Sequence, residues 1–146
     1  SHTRAFALRR DAPAWIGVTR GIAQDRVHDM AGAEASFLEA AHLAPDDLQI
    51  HGNLATHQMG LAHHAEAEPT LLRMLELDPG NPYALSMLAH ARQQRCEWEG
   101  LEALFGAITT RLEASDDDRS YIVNPYWILG LPASPRAQLN AAKRWA

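Results

Sequence analysis

Cysteine is almost missing from this chain, with Cys96 the single one in 146 residues. An intrachain disulfide is thereby excluded, as is the cross-linked framework on which small secreted domains rely. Long apolar runs are missing too. No stretch approaches the roughly 18 apolar residues that mark a bilayer span, and the opening SHTRAFALRR has neither the apolar core nor the cleavage site of a secretory signal. Together these absences predict a cytoplasmic protein that does not enter a membrane. A basic surface is missing as well: 13 Lys and Arg against 18 Asp and Glu leave a net charge of −5, with the cations scattered, so nucleic acid is not an expected partner. No glycine-rich phosphate turn, no Gly-x-Ser-x-Gly nucleophile motif and no calcium-loop pattern around Asp116, Asp117 and Asp118 can be found. We therefore expect no catalytic residues and no cofactor within these residues. The chain opens on Ser-His without methionine, which suggests a piece of a longer protein.

What is present is a domain's length of chain, 47% apolar and 21% charged, enough to bury a real core. It repeats itself. FLEAAHLAPDD (37–47) superposes on LLRMLELDPGN (71–81), with Pro45 and Pro79 separated by 34 residues. Counted at that period, the segments 14–47, 48–81 and 82–115 each read as two amphipathic helices joined by a tight turn. Gly21, Ala33 and Ala40 supply the small side chains that let helices approach closely. Phe37 and Leu71 supply the bulky knob, and Pro45 and Pro79 end the second helix of each pair. Pro69 is tolerable if it falls in the first turn of its helix, which suits a start near Ala65 or Glu66.

This pattern resembles the tetratricopeptide-repeat family over about 100 residues. The resemblance implies an all-α, right-handed superhelix of about three helix pairs spanning 1–115, with residues 1–13 the remnant of a preceding repeat. Residues 116–146 then form a proline-bounded connector and a C-terminal helix, for which Ser134 is the expected N-cap and Pro135 the first helical residue. The apolar side of that helix, Leu139, Ala142 and Trp145, needs a partner, which either repeat three or a catalytic lobe outside these residues could supply. Repeat three fits the pattern less well, since Leu101 and Ile108 stand where the family prefers alanine.

Within residues 92–146, the run CEW-x-GLEAL, the acidic SDDD and then VNPYWILGLP resemble the junction of O-linked N-acetylglucosamine transferases and SPINDLY-like glycosyltransferases. Cys96 and Trp98 match that family's triplet, with Glu97 in place of aspartate, and Pro125 and Pro132 match its two prolines. The resemblance implies an N-terminal substrate-binding arm that docks onto a catalytic domain lying after Ala146. The alternative is a free-standing scaffold that joins protein partners. Cys96 is expected to be a small buried hydrophobe against Trp98, with a reactive thiol or a metal ligand as the other readings.

In such repeats the first helix of each pair lines a groove suited to an extended peptide or protein segment. The expected groove residues are Trp15, Thr19, Gln49, Asn53, Thr56, Tyr83, Met87 and His90, with Val18, Ile22, Met59, Ser86 and Gln94 on the same helices. Asn53 stands where the transferases place an asparagine that contacts the main chain of bound protein, an amide being able to donate and accept at once; Thr19 and Met87 hold that place in the neighbouring repeats, and the other reading of Asn53 is a satisfied packing or capping amide. A clamp for a chaperone's C-terminal carboxylate would need lysine and asparagine on the first helix and lysine and arginine on the first helix of the third pair, where this chain has Val18, Ile22, Tyr83 and Met87. His57, His63 and His64 lack partners at a metal-ligand spacing, so no metal site is expected.

Overall fold

The computed structural model describes residues 2–114 and 134–145, with side-chain surroundings for 13–114 and most of 134–143. Every regular element among the described residues is an α-helix: α1 (His2–Arg26), α2 (Met30–Leu43), α3 (Leu48–Gly60), α4 (His64–Leu77), α5 (Pro82–Gln94), α6 (Leu101–Glu113) and α7 (Pro135–Trp145). None is long and apolar enough to cross a membrane. The expected connector, with Asp116 to Asp118, Pro125 and Pro132, lies outside the described residues.

The 34-residue period is visible in the backbone. α1, α3 and α5 end at Arg26, Gly60 and Gln94, and the turns that follow place His28, Ala62 and Cys96 at φ of 63°, 57° and 56°. At each turn two hydrogen bonds close back on the helix. The amide of residue 29, 63 or 97 donates to the carbonyl of 24, 58 or 92, and that of 28, 62 or 96 to the carbonyl of 25, 59 or 93. This is the Schellman arrangement, which satisfies carbonyls a helix end would otherwise leave bare. Side-chain caps start the next helices: Asp29 accepts from the Gly32 amide, Asp47 from Gln49 and Ile50, Asn81 from Ala84 and Ser134 from Ala137.

The chain forms two compact units, Ser1–Leu77 and Asp78–Ala146. The division falls within the stretch 1–115 that the sequence assigns to one array, ahead of the expected boundary at 116. In the first unit α1 packs on α2 through the small residues the sequence singles out. Ala33 and Ala40 are fully buried, and a Cβ on Gly21 would sit 2.9 Å from the Phe37 ring. Phe37 joins Ala14, Val18, Ile50 and Leu54 in one core, with Trp15 packed against it. Two polar bridges recur inside the helix pairs. Ser36 donates to the Gln24 amide oxygen at 2.6 Å, and 34 residues on Thr70 donates to that of Gln58 at 2.9 Å. Arg73 spans Glu76, Asp46 and the Pro45 carbonyl, and the hydrogen bond to Glu76 is the main reason its guanidinium is held further in the charged form.

Several expectations need correction. α1 runs unbroken through Pro13, so the residues expected to close a preceding repeat share one helix with Ala14–Arg26. α4 starts at His64, which puts Pro69 beyond the first turn, exposed, with no amide hydrogen to give the Ala65 carbonyl. Cys96 is exposed and Trp98 is 68% exposed. The reason is a late helix start: α6 begins at Leu101 after the left-handed Gly100 (φ 75°), where its counterparts begin at Met30 and His64, so Trp98 is stranded in the turn. α7 packs on α6, but through Ala137 and Asn140, whose Nδ2 donates to the Leu112 carbonyl at 2.9 Å. Leu139 and Ala142 are exposed instead, because the small Ala137 is what lets the helix backbone come close.

Candidate peptide-binding cleft

A concavity of the first unit lies between α1 and α3, toward their C-terminal ends. Helical spacing builds it: Ile22 and Asp25 are one turn apart on α1, and Asn53, Thr56, His57 and Gly60 follow i, i+3, i+4, i+7 on α3. With Met30, Phe37 and Leu61 they enclose about 390 Å³. Asn53 is half-buried, and its side-chain amide has no hydrogen-bond partner among the described residues. Thr56 turns its hydroxyl onto the Gly52 carbonyl at 2.8 Å.

His57 forms the floor. Its side chain is 4% exposed, its Nδ1 lies 3.4 Å from an Asp25 carboxylate oxygen, and its Nε2 lies 3.3 Å from the Met30 carbonyl. The ring also meets Phe37 at 5.3 Å between centroids. The Nε2 contact is a hydrogen bond to the Met30 carbonyl, while Nδ1 faces the Asp25 carboxylate. His63 turns to Glu34, at 3.5 Å, so His57 and His63, two of the three histidines weighed as a metal set, face different carboxylates. Among the described residues no group of three or more His, Cys, Asp or Glu side chains is placed to share an ion.

The expected groove residues divide. Asn53 and Thr56 line the cleft. Trp15 and Thr19 line a separate, shallower depression with Ile16, Arg20 and Ala23, and the Thr19 hydroxyl is occupied by the Trp15 carbonyl. Gln49 is exposed in the first turn of α3 and lines neither. Tyr83, Met87 and His90 belong to α5 of the second unit, where each is half-buried. Val18 and Ser86 are 2% and 4% exposed and belong to the interior, not to a groove. Asp25 was missed, although it lies one helical turn from Ile22 on the same face. His57 was considered only as a metal ligand.

No protein-family model matches the chain, and no curated protein matches it in sequence. Solved structures do. The chain is similar to the tetratricopeptide domain of Arabidopsis OM64, with a TM-score of 0.58 and 15% identity over 93% of this chain and 97% of that one. It is similar to the first tetratricopeptide domain of Spaghetti (RPAP3) bound to the HSP90 peptide SRMEEVD, with a TM-score of 0.60 and 16% identity over 92% of each chain. The tetratricopeptide domain of Sgt2 from Aspergillus fumigatus gives a TM-score of 0.56 and 17% identity over 90% of this chain and 76% of that one. The fold is therefore that of tetratricopeptide-repeat domains, all-α as the 34-residue period predicts.

Proposed function

We propose that this chain is a protein-recognition domain that holds an extended segment of another polypeptide against α1 and α3, the first helices of the two pairs in its first unit. The observation that carries the reading is the cleft around Asn53: a half-buried amide without a protein partner, set among apolar side chains, offers one donor and one acceptor to a passing main chain. A structural neighbour that holds a peptide, the RPAP3 domain, lends the reading support. A carboxylate clamp is disfavoured, because Val18 is buried and Ile22 is apolar where lysine and asparagine would be needed. Peptide-phage selection on the chain, followed by amide chemical-shift mapping, tests the reading. Selected peptides are expected to shift Asp25, Asn53, Thr56 and Gly60. Peptides that map elsewhere, or no selection at all, would refute it.

A narrower form makes the domain the substrate-binding arm of an O-linked N-acetylglucosamine transferase-like enzyme, docked onto catalytic lobes outside these residues. Its support is the CEW-x-GLEAL resemblance, together with the exposed Trp98, which shares a depression with Leu101 and Phe105 that a neighbouring domain could fill. The free-standing scaffold accounts for the cleft equally well. A reading frame that continues past Ala146 into nucleotide-sugar-binding lobes would separate the two.

A further inference from the structure

The cleft carries a single acidic group among otherwise neutral walls. Asp25 is its only carboxylate, the side chain is 50% exposed, and the His57 contact engages only Oδ1. The rest of the lining, apart from His57, is apolar or neutral: Ile22, Met30, Phe37 and Leu61 on one hand, Asn53, Thr56 and Gly60 on the other. α3 contributes no Lys, Arg, Asp or Glu anywhere between Leu48 and Gly60. On α1 the nearby Arg20 is turned away onto Ser36 and Glu39 of α2. A cleft with one acid and aliphatic walls suits a side chain that is aliphatic along its stem and cationic at its tip. Its volume of about 390 Å³ is at the small end of ligand pockets, which favours single side chains of an extended segment over a folded surface.

We propose that the cleft recognises a lysine- or arginine-bearing extended peptide segment, with the cation on Asp25, the stem along Ile22 and Leu61, and Asn53 on the adjoining main chain. This rests on the peptide-recognition reading and adds its specificity. An acidic segment is rejected by the same carboxylate, so discrimination comes from repulsion as much as from attraction.

The test is a positional-scanning library of short peptides, each pool fixed at one position as Lys, Arg, Glu or Leu, retained on the intact chain at low salt and at about pH 8, where imidazoles are largely neutral. Pools fixed as Lys or Arg are expected to be retained about tenfold over Glu pools. Asp25→Asn should abolish the preference and Asp25→Lys invert it, each with an unchanged helical circular dichroism spectrum. Glu66→Gln, which removes the same charge from an exposed site outside the cleft, should leave the preference intact. Retention with no charge preference, or a preference that survives Asp25→Lys, overturns this inference and leaves peptide recognition standing. Retention of no pool overturns both.

Discussion

The helix pairs of the first unit and the pair that opens the second share a period but not an interior. At positions 34 residues apart, Gln24 with Ser36 and Gln58 with Thr70 form the same amide-to-hydroxyl bond. The corresponding residues of repeat three are Arg92 and Leu104, so that bond has no third copy. Its turn is altered too, with the start of α6 delayed to Leu101. The backbone turn at Cys96 nevertheless keeps the geometry of those at His28 and Ala62. The period is thus carried by the main chain and its helix ends, while the side-chain bridge inside each pair is a separate feature that a repeat can lose.

Substitutions can break or sharpen that contrast. The largest effect is expected from Phe37→Ala, which empties the knob between Gly21 and the first-unit core and should cost about 3–5 kcal/mol in denaturant melts. Thr70→Val is next. It leaves the buried Gln58 oxygen without its donor and should cost about 1–3 kcal/mol. Leu104→Val, at the matching place in repeat three, orphans no polar atom and should cost about 1 kcal/mol or less; equal losses at the two positions would erase the contrast. Ala62→Gly and Cys96→Gly should each stabilise by about 1 kcal/mol, since both residues hold a left-handed conformation that glycine adopts without strain. A gain at one and not the other would mean the turns are not equivalent. Smallest of all, alkylation of the exposed Cys96 in the native protein should proceed without unfolding and shift stability by no more than about 0.5 kcal/mol.

Much of the fold could be read from the sequence because small residues, knobs and prolines recur at fixed spacing. Gly21, Ala33, Ala40, Phe37 and Leu71 all pack as their sizes demand, and α2 and α4 stop before Pro45 and Pro79. Where the reading failed, the cause was local. Trp98 was placed by register, yet a left-handed Gly100 moved the helix start and turned the ring to solvent. The apolar side of α7 with Leu139 was expected to need a partner, and it is Ala137 that is buried while Leu139 stays exposed. For the cleft, the face of α3 was legible from helical spacing. The pairing of Asp25 with His57 was not, because it joins residues 32 apart that only the packed fold brings together.

The Gln58 to Thr70 bond closes over 12 residues inside one helix pair, as does its copy between Gln24 and Ser36. Such a bond travels whole when a gene segment is duplicated: a block of 34 codons carries both donor and acceptor, already in phase. An insertion of a single codon within either helix would swing one partner by about 100° around the axis and part them. Growth of the array by unequal crossing-over is therefore constrained to whole beats, and a repeat without the bond, like the third, is free of that constraint.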